Sequence, residues 1–314
     1  MHSYITLDIG GTNTRCALYY ENSITPLKQI KIITSLDGQA TIDRLINIID
    51  EIWPDDNSVC GICAAAPGSI NVNNGIVILA PNIPGWKNLE LGKIFSARFK
   101  VPVFVNNDAR MAAIGEWKHG AGVGHKDLMY FTISTGLGNG TIINGRLLEG
   151  ATGIATESGH ITLDDDGPLC GCGKKGHLEA YSSGTGIENF VHEELRKGAS
   201  SSLPPLPSPS AKQIAEAAKN GDLLAKSAFD RAGYYLGIGI ANYLHIFNPS
   251  CVIFGGGVSQ SGDLLMVPFR KSLESHVMNS DYLNQLEIKI ASLGDNVGLI
   301  GALEYLKDKL SVFS

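Results

Sequence analysis

Four metal-binding side chains fall within eighteen residues of this chain: His160, Cys170, Cys172 and His177. Two thiolates and two imidazoles are the donor set of a tetrahedral zinc site. The cysteines stand one residue apart, unlike the wider spacing of a zinc finger. A surface loop with two ordinary cysteines and two solvated histidines would have the same composition. Against that stands the glycine density, since Gly167, Gly171, Gly173 and Gly176 let a short chain fold back on a point. A bound metal would hold together a loop that has no hydrophobic core of its own. Two carboxylates, Glu157 and Glu179, bracket the stretch.

Glycine turns supply the second kind of chemistry. Asp8-Ile9-Gly10-Gly11-Thr12-Asn13 follows a β-forming run and precedes another, so backbone N–H groups and hydroxyls gather at one turn. Such a turn can cradle phosphate, with Asp8 placed to hold a hydrated magnesium ion; a plain hairpin turn is the commoner use of a bare Gly-Gly. The same grammar recurs at Ser134-Thr135-Gly136-Leu137-Gly138-Asn139-Gly140, followed by an Asn144-Gly145 hairpin turn. Gly255-Gly256-Gly257 after an apolar run would let a flat ring lie against backbone. No Gly-x-x-x-x-Gly-Lys-Ser/Thr occurs, and no Gly-x-Gly-x-x-Gly lies between a strand and a helix, so the two commonest nucleotide signatures are lacking. Asn106-Asn107-Asp108 stands where a strand meets a helix, and one of the three caps that helix unless it has other work.

The elements that must position these residues alternate along the chain. Strands are predicted over Ser3–Ile9, Cys16–Tyr20 and Lys28–Ile33, then a helix over Thr41–Trp53 stopped by Pro54. Val59–Ala66 reads as a buried strand ending in Pro67-Gly68, and Asn71–Leu79 as a hairpin about Asn73-Asn74-Gly75. Pro81–Trp86 reads as a rigid loop with an exposed aromatic. A helix over Leu89–Phe99, a strand over Val101–Val105 and a helix over Ala109–Trp117 follow. Leu128–Ser134 and Thr141–Ile143 are predicted strands around the second glycine turn. Beyond the cysteines come a helix near Thr185–Arg196, an extended serine- and proline-rich run over 200–210, and helices over Ala211–Lys219 and Leu223–Phe247. The long last helix carries Gly233, Gly237, Gly239 and Ala241, which suit close packing. A strand over Cys251–Phe254, a helix over Met266–Met278, a strand over Gln285–Ala291 and a closing helix over Val297–Leu310 complete the pattern.

At 314 residues, 44% apolar and 18% charged, the chain suits two domains with substantial cores. A net charge of −6 argues against nucleic acid or an anionic membrane surface as partner. No apolar run is long enough to span a bilayer, and the start lacks a basic segment followed by an apolar one. Three of the six cysteines, Cys60, Cys63 and Cys251, sit in apolar runs, which points to reduced core thiols and a cytoplasmic protein.

Taken in order, these motifs resemble those of the ROK family of repressors, open reading frames and sugar kinases, and the resemblance covers nearly the whole chain. Asp8-Ile-Gly-Gly-Thr matches the first phosphate motif, Ser134-Thr-Gly-Leu-Gly the second and Gly255-Gly-Gly-Val-Ser the adenosine motif. Asn107-Asp108 matches the sugar-binding and catalytic pair. Glu157-x-x-His160 and Cys170-x-Cys172-Gly-x-x-Gly-x-x-Glu179 match the zinc and sugar signature. Any one motif is weak, and six in the right order are specific. Two departures stand out. His177 replaces a zinc cysteine, giving a two-Cys, two-His site. Asn139 replaces a glycine of the second turn, where asparagine's tolerance of positive φ would serve.

The resemblance implies an α/β, two-domain actin-like ATPase (ribonuclease-H-like) fold with a cleft between the domains. Residues 1–107, completed by the C-terminal helix 297–314, would form the smaller domain, and 108–296 the larger. It implies an ATP-dependent hexose kinase, most like the glucokinases, turning glucose into glucose 6-phosphate with ATP, Mg2+ and a structural Zn2+. Asp108 would be the general base; Gly68, Asn107, Glu157, His160 and Glu179 would bind sugar, Gly68 through its backbone. Asp8, Gly10, Gly11, Thr12, Asn13, Thr135, Gly136, Gly255, Gly256 and Gly257 would hold the nucleotide and its metal. N-acetylmannosamine, N-acetylglucosamine or fructose is the alternative substrate, and a homodimer or homotetramer the implied assembly. The family's repressors carry a helix-turn-helix ahead of the first phosphate motif; here that motif starts at Asp8, so a sugar-responsive regulator is disfavoured.

Overall fold

The computed structural model of the chain describes residues 2–34, 37–56 and 58–311. β1 (Ser3–Ile9) and β2 (Asn13–Tyr20) pair as an antiparallel hairpin, extended by β3 (Lys28–Ile33). Asp37 starts α1 (Gly38–Ile52), its carboxylate accepting the N–H groups of Gln39 and Ala40, so the helix begins a turn earlier than the apolar spacing suggests. β4 (Val59–Ala66) runs buried beside β1. β5 (Ser69–Asn71), β6 (Ile76–Leu79) and β7 (Lys87–Leu89) form a small antiparallel sheet, and α2 (Leu91–Phe99), β8 (Val103–Asn107) and α3 (Asp108–His119) follow. β9 (Leu128–Ile133), β10 (Leu137–Ile143) and β11 (Arg146–Leu147) come next, β10 and β11 joined through Asn144 and Gly145, both at positive φ as the two-residue turn requires. The remainder is α4 (Leu178–Ser182), α5 (Gly184–Arg196), α6 (Ala211–Lys219), α7 (Leu223–Phe247), β12 (Cys251–Gly255), α8 (Asp263–His276), α9 (Asp281–Asn284), β13 (Glu287–Ile290) and α10 (Val297–Ser311).

The chain divides into two compact units. The first comprises 1–125, 140–156 and 291–314, and the second 126–139 and 157–290. The first unit is built on a five-stranded sheet of order β3-β2-β1-β4-β8, in which β4 lies parallel to both β1 and β8. Its core joins Ile5, Leu7 and Ile9 of β1 to Leu45 and Ile49 of α1 and to Phe95 of α2. α3 belongs to this unit because it packs on α10, so the boundary falls further along the chain than Asn107. The crossing is close: a Cβ on Gly115 would stand 2.6 Å from the Val297 carbonyl oxygen, and one on Gly301 would overlap that of Met111.

In the second unit β12 lies parallel to β9 and β13, with β10 on the far side of β9. β10 carries the chain into the first unit at Gly140. Helices α5, α6, α7 and α8 share the core of Phe131, Ile187, Ile214, Phe229, Phe254 and Phe269. The small residues of α7 serve as expected, with Gly233 and Gly237 set against α8 and Gly239 against Leu178.

Two expectations are corrected. Trp86 is not an exposed loop aromatic but 1% exposed, among the largest buried side chains. The loop turns back on itself, Ala80 N–H donating to the Trp86 carbonyl and Trp86 N–H to that of Ile83, and the ring joins the core of Ile70, Val77, Ile83 and Leu91. Likewise the second glycine turn is shorter than predicted, because Leu137 to Gly140 already belong to β10. Asn139 is therefore strand, with no positive φ.

Candidate functional site

The first glycine turn is closed by Gly10 N–H donating to the Asn13 carbonyl at 2.9 Å. Thr34, just past β3, braces it: its hydroxyl donates to the Gly10 carbonyl at 2.7 Å and its N–H to that of Thr12 at 2.9 Å. Gly11 and Thr12 are thereby held at the tip of the β1–β2 hairpin. Asp8, near the end of β1, has Arg15 3.7 Å away across the hairpin. Burial pushes its carboxyl up to about 6, the Arg15 guanidinium pulls it down and Asp295 adds to the rise. A hard oxygen donor that is costly to ionise without a cation is suited to magnesium.

The β8–α3 turn brings three of the expected residues together. Asn107 is the helix cap: its side-chain oxygen accepts the N–H groups of Ala109 at 2.9 Å and Arg110 at 3.2 Å. Its side-chain nitrogen donates to the Gly68 carbonyl at 3.0 Å. Asp108, the first helical residue and half-buried, is thus relieved of capping, and its Oδ1 accepts the adjacent Ala109 N–H at 2.8 Å. Beneath them Asn106 is fully buried, its oxygen accepting the Asn107 N–H and its nitrogen donating to Glu149 at 3.3 Å.

In the second unit the Ser134–Gly136 turn is closed by Ser134 N–H donating to the Gly136 carbonyl at 2.9 Å, and Gly184 and Thr185 N–H groups donate to the carbonyls of Ser134 and Thr135. Glu179, on α4, sets one carboxylate oxygen on the Leu137 N–H at 2.8 Å and accepts the Cys170 thiol on the other at 3.3 Å. The Glu157 carbonyl accepts His160 N–H at 3.0 Å across a single 3-10 turn, Ser158–His160. Sequence reasoning missed what anchors that turn. Asn139 donates to the Tyr130 carbonyl at 2.7 Å and lies 3.1 Å from the Ser158 hydroxyl, while Tyr243 O–H donates to the Ser158 carbonyl at 2.6 Å. The glycine replaced at 139 is thus a hydrogen-bonding site, not a positive-φ position.

The four proposed metal ligands converge: one donor atom from each of His160, Cys170, Cys172 and His177 lies within 4.8 Å of all the others. His160 Nδ1 is 3.7 Å from Cys170 Sγ, and His177 Nδ1 is 3.2 Å from Cys172 Sγ. Bonds of about 2.0–2.3 Å to a central tetrahedral ion require ligand atoms at about such separations, so the set fits zinc. The loop reaches this shape through Gly176, at φ +68, where a Cβ would overlap the Asp164 carbonyl oxygen. Burial pushes the Cys170 thiol up to about 12 and, with His160 nearby, holds the His177 imidazole below its usual value. A neutral imidazole is the ligating form, and the thiol is one whose proton a metal would displace.

Near the third glycine run lies a cavity of about 510 Å³, bounded by Ser134 and Thr135 on one side and Gly257 and Val258 on another. Gly257 lines it, whereas Gly255 and Gly256 close against Tyr130 and Ile133 of β9. The far wall is Gly184, Thr185 and Glu188 of α5 with Ala211 and Lys212 of α6. None of these was singled out from sequence. The capping box of Ser210 and Gln213 marks where α6 begins, but nothing in it says which way the helix faces.

Comparison with known proteins adds a decisive observation: the model of the ROK family matches residues 4–309. The chain belongs to the ROK family. All the residue sets described above lie inside the match. The chain is 36% identical over 312 residues to the glucokinase of Thermotoga maritima, covering 98% of each. It is 32% identical over 260 residues to the xylose repressor of Bacillus spizizenii, covering 83% of this chain and 64% of the repressor. Among solved structures, the ROK family glucokinase of Streptomyces griseus in complex with glucose and AMPPNP superposes with a TM-score of 0.80 at 32% identity, over 96% of this chain and 98% of that one. The mixed α/β, actin-like ATPase fold expected from the motifs is the fold this ROK chain has.

The geometry separates Asn107 from Asp108 in stability. Asn107→Ala removes the cap and the tie to Gly68, and should lower stability by about 1–2 kcal/mol. Asp108→Asn should leave the melting temperature near wild type. Thermal denaturation of both variants tests this, and equal losses would contradict the assignment of the cap to Asn107.

Proposed function

We propose that this ROK protein transfers the γ-phosphoryl group of ATP to the 6-hydroxyl of a hexose, with glucose the preferred acceptor and glucose 6-phosphate the product. The observation that carries the reading is Asp108 at the first position of α3, with the capping role taken by Asn107. A sugar hydroxyl is a very weak acid, so attack on phosphorus at neutral pH needs a base for its proton. The Asp108 carboxylate accepts that proton as the 6-oxygen bonds to the γ-phosphorus and the bond to the ADP oxygen breaks. Asn107, Glu157, His160 and Glu179 bind the sugar hydroxyls together with the Gly68 backbone, and the glycine turns at 10–13 and 134–136 bind phosphate. Adenosine occupies the cavity lined by Gly257 and α5. Magnesium held through Asp8 supplies charge neutralisation on the phosphates when bound. The support is the similarity to glucokinases over the full chain together with the site residues named here.

A panel of hexoses, including glucose, fructose, N-acetylmannosamine and N-acetylglucosamine, tests the substrate in a coupled ADP assay. A higher kcat/KM for another sugar would displace glucose. Asp108→Asn should lose about 10²- to 10⁴-fold in kcat while still binding sugar. Retention of a tenth of wild-type turnover would rule Asp108 out as the base.

Zinc is the metal proposed for His160, Cys170, Cys172 and His177. Its four positions are filled by protein, so its chemistry is to fix the loop and orient His160. With Nδ1 of His160 toward the cluster, Nε2 is left for the sugar. Protein purified without added metal should contain one zinc per chain by elemental analysis, and Cys172→Ala should lose it along with thermal stability. An active, folded, zinc-free sample would refute the site.

Association into a homodimer or homotetramer is proposed through the second unit, where Ile246, Val267 and Met278 are exposed. Light scattering showing only the 33.4 kDa monomer at micromolar concentration would exclude it. No described helix is long and apolar enough to cross a membrane, and all six cysteines are unpaired, which suits a reducing cytoplasm.

A further inference from the structure

Two residues beyond Asp108, the side chain of Arg110 is 2% exposed, an unusual place for a guanidinium. Three of its nitrogens face one short segment. They reach the carbonyls of Gly153 and Ala155, and Nε lies 3.3 Å from the Thr156 hydroxyl. The segment is also held at its start: Glu149 accepts Asn106 Nδ2 at 3.3 Å, Tyr305 O–H at 2.7 Å and Lys309 Nζ at 3.3 Å, and its carbonyl takes the Ala155 N–H at 3.1 Å. Loop 149–156 is therefore stapled at both ends to the residues flanking Asn107 and Asp108. Its last residue is strained. Thr156 has φ +66, and it is the one β-branched residue at positive φ among the described residues. Strain of that kind persists only where the surroundings over-determine it. The next residue in the chain is Glu157.

We infer that Arg110 is a positioning residue for the sugar: it locks the strained end of loop 149–156 to the helix that begins with Asp108, and so fixes where the chain presents Glu157. Guanidinium suits the task because its rigid planar fork holds donors at fixed, spread positions, whereas the three donors of a lysine ammonium radiate from a single nitrogen. What Glu157 does rests on the sugar-kinase reading above; the clamp itself does not.

The test uses the full chain with Arg110→Met and Arg110→Lys, read two ways. Methionine fills the space but leaves the Gly153 and Ala155 carbonyls without their donor. Hydrogen exchange should quicken in residues 150–157 while α7 and β12 stay as in wild type. In the same protein the KM for glucose should rise about tenfold or more while the KM for ATP stays within about twofold, the signature of lost sugar positioning and not of general damage. The lysine variant should fall between. Unchanged exchange in 150–157, or both KM values unchanged or raised alike, overturns the inference. If Arg110→Met does not fold, Arg110→Lys decides on the same two readouts, and a lysine enzyme indistinguishable from wild type overturns it. If wild-type protein phosphorylates no hexose, the kinase reading fails. Exchange then decides the clamp alone, confirming it by selective loosening of 150–157 and refuting it by none.

Discussion

The amide of Asn107 is the group on which the β8–α3 turn depends. Its oxygen accepts two N–H groups of the first turn of α3, and its nitrogen holds the Gly68 carbonyl. Asparagine can do both because one planar group carries an acceptor and a donor. Aspartate at this position could cap the helix but could not hold Gly68. The neighbour on one side, Asn106, is fully buried and accepts the Asn107 N–H; the neighbour on the other, Asp108, is half-buried. Of three consecutive polar residues, one is thus buried under the turn and two stand half-buried at it, with the cap and the tie to Gly68 both made by Asn107.

Each of the two units holds a glycine turn, and the two turns have different supports. In the first, the hydroxyl of Thr34 bonds the Gly10 carbonyl and the hydroxyl of Thr14, so neutral groups brace the turn. In the second, the carboxylate of Glu179 accepts the Leu137 N–H just past Gly136. That same carboxylate accepts the Cys170 thiol. The second glycine turn and the cysteine loop therefore share a side chain. The first turn is held by its own hairpin and the end of β3, independent of any metal loop.

Much of this was legible in the sequence. The helices α6 and α7 and the strand β4 fall where periodicity and caps place them, and His160, Cys170, Cys172 and His177 come together as the glycine density of their loop allows. What failed shares a cause. Trp86, in a loop rich in proline and glycine, reads as exposed because nothing local says that the loop folds back over the core of β5, β6 and α2. The α5–α6 wall of the cavity beside Gly257 is invisible because its residues are ordinary for helices, and only tertiary packing turns them toward one space.

Buried polar residues were the hardest of all to read, and they matter most to the sites. Arg110 sits in a helix and Asn139 in a strand, and each is nearly sealed from water. By composition either would be placed on a surface. Instead each bonds to backbone or side chains near Glu157 or beyond: Arg110 to residues 153–156, and Asn139 to the Tyr130 carbonyl of β9 and the Ser158 hydroxyl next to Glu157. An apolar residue could fill the same volume, but it would leave buried carbonyls without donors, at about 1–3 kcal/mol each. An irregular loop has no ladder of its own to fix its shape. A buried side chain with several hydrogen-bonding groups gives it one, whether it stands on a helix, as Arg110 does, or on a strand, as Asn139 does.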